Sequence, residues 1–333
     1  MVSRATVALV GSESLLGREI RDIIATSAPE FSLRLIAADE ETPGRLARVG
    51  DEAFLVGGLE AESLAGTQAV FLAGSPESSR KAVELAGASA TLIDLTYAVE
   101  EHPRARLRAP LVETEAQDRG PGIYVIAHPA AIALALFLRR LQAYHPIDRS
   151  VVQIFAPASD RGAAGLEELQ HQTINLLSFK SLPKAVFDAQ LGFNLLARYG
   201  DEAPVPLEES ELRIDRHLAS LLALSGDGEG APMPSLRMIQ APVFHGYSFS
   251  AWVRFDSNPG VEELEASLAA GSIDVRGADL EPPTIVGQAN QGGIAIGAIL
   301  PDRNDREACW FWLVADNLRL MAENAVAVAG ETL

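Results

Sequence analysis

The sequence predicts an α/β protein: a doubly wound parallel sheet, followed by a second α+β domain built on a mixed sheet. Three observations carry that reading. Over the first ~130 residues, short apolar runs alternate with amphipathic segments of about a dozen residues, the pattern of parallel strands joined by helices. A glycine loop separates the first such run from the first such segment. The rest of the chain holds longer runs rich in β-branched and aromatic residues, with helices set between them. A chain of 333 residues can bury two separate cores.

In order, "TVALVG" (Thr6 to Gly11) is a buried strand ending in glycine. "LLGREIRDIIATS" is a helix, with Leu15, Leu16, Ile20, Ile23 and Ile24 at helical spacing. "SLRLIAAD" is a strand with Asp39 at its end, and "AVFLAG" (Ala69 to Gly74) is another. "ESSRKAVELAGAS" is a helix, and "ATLIDLT" and "GIYVIAH" are strands. In the second half "SVVQIFAPAS" is a strand and "GAAGLEELQHQTINLLS" an amphipathic helix. Residues 181–235 are punctuated by proline and glycine, with helical pieces such as "SELRIDRHLASLLAL" and a loop at "GDGEGAPMPS". "LRMIQAPVFHGYSFSAWVRFD", "GGIAIGAILPD" and "CWFWLVAD" are strand-forming, "VEELEASLAAG" is a helix, and "NLRLMAENAVAVAG" is a terminal helix. The expected domains are 1–130 with 316–333, and 131–315.

Composition excludes several functions. A net charge of −18 argues against nucleic acid and against anionic membrane surfaces. Cys309 is the one cysteine, so neither an intramolecular disulfide nor a cysteine-based zinc cluster can form, and a cytoplasmic location fits. No apolar run approaches the ~18 residues of a membrane span; "AHPAAIALALF" is the longest and stops at Arg139 and Arg140. The opening "MVSRATVALVGSESLLG" has too brief an apolar run for a secretory signal.

"VGSESLLG" places Gly11 and Gly17 at the outer spacing of a dinucleotide-binding turn, so the first domain reads as Rossmann-type. Ser14 stands where the middle glycine lets backbone approach a pyrophosphate, and Glu13 adds negative charge beside it. The candidate cofactor contacts are Gly11, Ser12, Glu13, Ser14, Leu15, Leu16, Asp39 for a ribose hydroxyl, and Gly74. The three carboxylates of "ADEET" would repel a 2′-phosphate, so a bound dinucleotide would be NAD rather than NADP. A plain strand-to-helix turn that binds nothing explains the same glycines. "ADEETPGR" itself reads as solvated surface.

"GIYVIAHPAAIALALFLRRL" runs as a strand, breaks at His128-Pro129 and restarts as a helix. Such a corner often holds a catalytic nucleophile, because the helix N-terminus stabilises negative charge. Here it reads Ala130-Ala131-Ile132-Ala133, with no side chain able to attack or donate.

Seven segments in the same order give the chain a resemblance to the aspartate-semialdehyde dehydrogenase family along nearly its whole length. "VGSESLLGREI" stands in the place of a GATGxVG-like loop. "LIDLTYAVEEHPRARLRAPLVETEA" resembles "VIDNSSAFR…PLVVPEVN", and "GIYVIAHPAAIAL" resembles "GIIANPNCSTI". "FAPASDRGAAGLEEL" is similar to "YQAVSGAGAAAMEEL", and "LGFNLLARYGD" to the "FNVIP" segment. "IQAPVFHGYS" resembles "VRVPVFxGHS", and "VADNLRLMAENAVAVA" resembles "VSDNLRKGAALNAVQIA".

The resemblance implies an NAD(P)-binding Rossmann domain, a second domain with substrate contacts and a dimer interface, and a terminal helix packed back on the first domain. It also implies a chemistry: a cysteine thiolate forms a thioacyl intermediate, a histidine is general acid/base, a glutamine orients the intermediate, and arginines hold carboxylate and phosphate. At those positions this chain has Ala131 for the cysteine, Ala156 for the glutamine, Tyr247 for the histidine and Gln240 for an arginine. His128 and Ala130 replace the preceding asparagines, and the phosphate arginine falls near Glu100. A methyl group cannot form a thioester, and a phenol with pKa near ~10 is a poor base at neutral pH.

Cys309 lies among large apolar residues and reads as a small buried hydrophobe rather than a substitute nucleophile. His128, Ser159, His245 and Tyr247 form a possible residual pocket, with His245 and Tyr247 on one face of a strand. Two histidines bonded to backbone are the plainer account, and no third ligand for a metal is evident. The sequence therefore points to a non-catalytic dimeric paralogue that binds a partner or small ligand, as a homodimer or as a heterodimer with an active relative. The alternative is an NAD-dependent oxidoreductase acting on an aldehyde by non-covalent hydride transfer.

Overall fold

The structure, a computed structural model, describes residues 5–28, 30–87, 89–113, 120–223 and 230–333. It divides into two compact units, 1–127 with 321–333, and 128–320.

The first unit holds a six-stranded sheet in the order β2-β1-β5-β6-β8-β7, all parallel. Its strands are β1 (Ala5–Val10), β2 (Phe31–Ile36), β5 (Ala69–Leu72), β6 (Thr91–Asp94), β7 (Ala105–Arg108) and β8 (Ile123–Ile126). The central strands β5, β6 and β8 are buried at every residue, which is why they read as unbroken apolar runs. Helix α1 (Leu15–Ser27) joins β1 to β2, a short α2 (Ala61–Leu64) precedes β5, and α3 (Pro76–Leu85) joins β5 to β6. Ser14 and Ser75 cap α1 and α3, each hydroxyl accepting a backbone N–H from the first turn.

A hairpin of β3 (Leu46–Val49) and β4 (Glu52–Leu55) and the edge strand β7 lay outside the sequence reading. All three are four residues long, and exposed Leu46 and Leu55 face each other across the hairpin, so no buried alternation marks it. In β7 the buried residue is a charged one. Arg108 is 1% exposed, and its guanidinium bonds Glu113 at 2.8 Å and Glu331 at 2.5 Å. Glu331 belongs to the last helix, α8 (Asn317–Thr332), so an ion triad around the buried Arg108 ties the end of that helix to this sheet.

The second unit carries a mixed sheet in the order β10-β9-β11-β14-β13-β12. The strands are β9 (Ile147–Ala156), β10 (Ser235–Gln240), β11 (Tyr247–Phe255), β12 (Ile273–Arg276), β13 (Ile294–Pro301) and β14 (Ala308–Ala315). The pairs β10–β9 and β12–β13 are parallel and the three central pairings are antiparallel. Burial alternates without a break along β11, the signature of a sheet with one covered face. Helix α4 (Pro129–Tyr144) is buried almost all round in its first three turns, and Phe137 meets Phe311 edge-on at 5.0 Å between centroids. α5 (Gly162–Leu177), α6 (Leu207–Ala223) and α7 (Val261–Leu268) complete the unit. Of the expected loop at "GDGEGAPMPS", residues 226–229 lie outside the described residues, as do 114–116 of "PLVETEA".

Candidate functional site

The strand-to-helix corner is present and internally satisfied. His128 is the N-cap of α4 and Pro129 its first residue, a position where the missing N–H costs nothing. The His128 Nδ1 accepts the N–H of Ala130 at 3.2 Å, so a side chain takes up a donor that a ligand would otherwise meet. The Nε2 of the same ring faces Asp160 Oδ1 at 3.6 Å. The His128 backbone N–H donates to Nδ1 of His217 at 2.9 Å. Ala131, the third residue of α4, is fully buried.

Asp160 is the centre of the arrangement. It sits in a 3-10 turn, Ala158–Arg161, that leads into α5. The Tyr247 hydroxyl donates to its Oδ1 at 2.5 Å, and the His128 and Tyr247 rings meet edge-on at 5.9 Å. Burial pushes the Asp160 carboxyl up, but the neighbouring His128 ring, the charge of Arg161 and the Tyr247 phenol outweigh it and hold it at about 2. Arg161 continues the network: Nη2 donates to Ser210 Oγ at 3.0 Å and Nε to the Tyr199 hydroxyl at 3.4 Å. Burial pushes the Tyr199 phenol up to about 12, and its hydroxyl donates to Gln240 Oε1 at 2.6 Å. The Gln240 amide nitrogen donates to the carbonyls of Ala156 and Ala241 at 2.9 and 3.1 Å. Two bonded runs, Tyr247 to Asp160 and Arg161 through Tyr199 and Gln240 to the Ala156 carbonyl, are linked by the charges of the adjacent Asp160 and Arg161.

Of the four residues expected in a residual pocket, the structure brings together His128 and Tyr247. His245 does not join them. It is exposed and lies before β11, and Gly246, at φ +83°, breaks the strand alternation that would have put it beside Tyr247. Ser159 is buried near the corner, but its hydroxyl pairs with Asn317 at 3.1 Å, and Asn317 also accepts the Gly246 N–H. Asp160, Arg161, Tyr199, His217 and Asn317 went unread in the sequence. Asp160 and Arg161 had a visible signal, because "ASDRG" puts a charged pair where the family segment has "VSGAG". Tyr199, His217 and Asn317 are too distant in sequence to have been found by spacing.

Cys309 is fully buried on β14, where burial pushes its thiol up. It lies opposite Val253, while Tyr247 lies opposite Ala315, so six residues of strand, about 20 Å, separate it from the cluster. Among the described residues no group of three His, Cys, Asp or Glu side chains could hold a metal ion. No helix is long and apolar enough to cross a membrane among them either.

The glycine loop lies in the other unit. Gly11 adopts φ +82°, and a Cβ there would lie 2.3 Å from the Gly74 nitrogen; a Cβ on Gly17 would lie 2.1 Å from the Gly11 oxygen. Close packing of β1, α1 and the end of β5 therefore demands both glycines. Ser14 caps α1, Leu15 and Leu16 are its first two residues, and Ser12 is fully buried. The Glu13 carboxylate, expected beside a phosphate, instead turns to Arg21 at 2.8 Å and Arg18 at 3.8 Å. The backbone N–H of Glu13 donates to Glu41 Oε1 at 3.0 Å, and Ala38 N–H to Glu41 Oε2 at 3.1 Å. Glu40 accepts from the hydroxyls of Ser75 and Ser78 at 3.0 and 2.9 Å, and Asp39 pairs with Lys81 at 2.7 Å. In "ADEETPGR", expected as solvated surface, Asp39, Glu40 and residues 42–45 are exposed, and Glu41 departs from that expectation: it is half-buried and tied to the loop.

A parallel doubly wound sheet with a glycine turn, and a mixed-sheet domain in the same chain, define a two-domain α/β protein of the dehydrogenase type. The chain belongs to the semialdehyde dehydrogenase family: residues 138–320 match that family's dimerisation domain. It is 25% identical to an aspartate-semialdehyde dehydrogenase of Rickettsia bellii, over 100% of this chain and 99% of that one. It is 28% identical to a "USG-1 protein homolog" of Pseudomonas aeruginosa, over 98% and 97%. Among solved structures, a probable aspartate-semialdehyde dehydrogenase from Pseudomonas aeruginosa superposes with TM-score 0.83 at 26% identity, covering 98% of this chain and 97% of that one. The aspartate-semialdehyde dehydrogenase II of Vibrio cholerae has TM-score 0.83 at 20% identity, covering 98% of each chain, a likeness of fold.

Proposed function

We propose that this chain is a non-catalytic, homodimeric member of the family, whose thiol-based site has become a self-satisfied polar cluster and whose role is to bind. The observation that carries the reading is Ala131, fully buried at the corner and three residues after His128, whose ring already bonds the Ala130 N–H. A methyl carbon offers no electron pair to a carbonyl, so the thioacyl route is absent rather than slowed. At the histidine position, the Tyr247 phenol already donates to Asp160 and is a poor proton acceptor. At the glutamine position Ala156 offers only its carbonyl, which accepts from Gln240. Relatives carry both a dehydrogenase name and the name USG-1, so kinship by itself does not assign the activity.

The outward face of the mixed sheet supports the dimer. Val151, Trp252 and Trp310 lie side by side across β9, β11 and β14, and Trp312 stands beside them. All three tryptophans of the chain therefore lie on one face, with Val151, Trp310 and Leu300 exposed. Their neighbour Asp302 accepts the indole N–H groups of Trp252 and Trp310 at 3.0 and 2.8 Å, which holds the rings in place. An ordered apolar face of this kind suits a two-fold, self-complementary contact.

The test is turnover. Purified protein is incubated with aspartate semialdehyde, inorganic phosphate and NAD or NADP, and reduced cofactor and protein mass are both followed. The expected result is a rate no higher than the protein-free blank and no acyl adduct. Turnover at an enzyme-like rate, on the order of 1 per second or more, would refute the reading.

A further inference from the structure

In an open parallel sheet, ligands bind beyond the carboxyl ends of the strands where the strand order reverses. Here that point lies between β1 and β5, because α1 carries the chain from β1 to β2 on one side and β5 pairs with β1 on the other. The groups that would meet a dinucleotide's phosphates there are backbone N–H groups of the glycine loop and the N-terminal ends of α1 and α3. Two carboxylates from the segment after β2 are already bonded in this place. Glu41 takes the Glu13 N–H, in the turn that leads into α1. Glu40 takes the Ser75 and Ser78 hydroxyls, at the cap and first turn of α3. Glu40 also overhangs Gly74, with Oε1 at 3.3 Å from where a Cβ on that glycine would stand. Ser12 Oγ, in the same loop, is buried and has no hydrogen-bond partner.

We propose that Glu40 and Glu41 act as built-in substitutes for a cofactor's phosphates, and that this pair excludes both NAD and NADP from the first unit. A pyrophosphate could enter only by breaking the bond from Glu13 N–H to Glu41, against the charge of both carboxylates. The arrangement also gives the two glycines a purely structural reason to persist. This inference is independent of the fate of the thiol chemistry in the second unit.

The test uses the full-length protein and measures binding without substrate. NAD and NADP are titrated to about 5 mM, with calorimetry and thermal unfolding as readouts, because a ligand selective for the folded state must raise the unfolding temperature. The wild type is expected to show neither heat nor shift. Glu40→Ser combined with Glu41→Ser is expected to gain measurable affinity for at least one dinucleotide, by about tenfold or more over the wild-type limit. If the serine pair fails to fold, Glu40→Gln with Glu41→Gln removes the charge at constant size, and a gain of about threefold is expected. Wild-type binding in the sub-millimolar range would overturn the proposal. So would a folded variant that still ignores both dinucleotides. A wild type that binds NAD without turnover would sink this inference and leave the non-catalytic reading standing.

Discussion

Replacing Asp160 by asparagine removes one charge from the centre of the buried cluster while keeping its shape. The carboxyl is held at about 2, below its ordinary 3.8, so the folded state favours the ionised form. A depressed carboxylate pKa contributes stability above the unfolded value and loses it as pH falls through the folded value. At about 1.4 kcal/mol per unit, the contribution at pH 7 is about 2 kcal/mol, falling to about half of that near pH 3. Asp160→Asn should therefore cost at least about 2 kcal/mol at pH 7, and more if the neighbouring Arg161 charge is left poorly compensated. Urea unfolding at pH 7, 5 and 3 measures it. The gap between wild type and variant should hold from pH 7 to 5 and shrink by pH 3. A companion cycle with Tyr247→Phe, which deletes the phenol that donates to Asp160, should show coupling of about 1 kcal/mol or more. Equal stability of wild type and Asp160→Asn at pH 7, or a gap unchanged at pH 3, would show that Asp160 is not the charged centre described.

Trp310→Arg places a charge on the exposed face of the mixed sheet and should convert a dimer to a monomer in sedimentation velocity without loss of secondary structure; an unchanged sedimentation coefficient would place the interface elsewhere. Gly17→Ala drives a methyl to within 2.1 Å of the Gly11 carbonyl oxygen, a backbone atom that cannot swing away. It should destabilise the protein by about 2 kcal/mol or more, seen as a lower urea midpoint with no ligand present, and a neutral result would return the glycine to a ligand-binding explanation.

Much of the scaffold was legible because its signals are local. The unbroken apolar runs of β5, β6 and β8 can be read within a few residues. The same holds for the alternation along β11. β7 was not legible, since Ala105–Arg108 looks like surface until Glu113 and, more than two hundred residues later, Glu331 are seen to pair with its arginine. β12 is likewise a four-residue edge strand with one buried residue. The site divides in the same way. The ordered segments that resemble the family are what assign Ala131, Ala156 and Tyr247 to positions of reacting groups. That His245 would be turned away by a left-handed glycine was not.

By itself the sequence determined which atoms are present: no sulfur at residue 131, three carboxylates after β2, and two glycines six residues apart. Those facts bound the chemistry whatever the chain folds into. The tertiary structure alone decided what those atoms touch. It directed Glu41 rather than Glu13 at the loop N–H, and drew Asp160, His128 and Tyr247 into one buried cluster. The physical reason is that burial makes polar groups costly unless paired, and pairing is settled by distances between residues far apart in the chain.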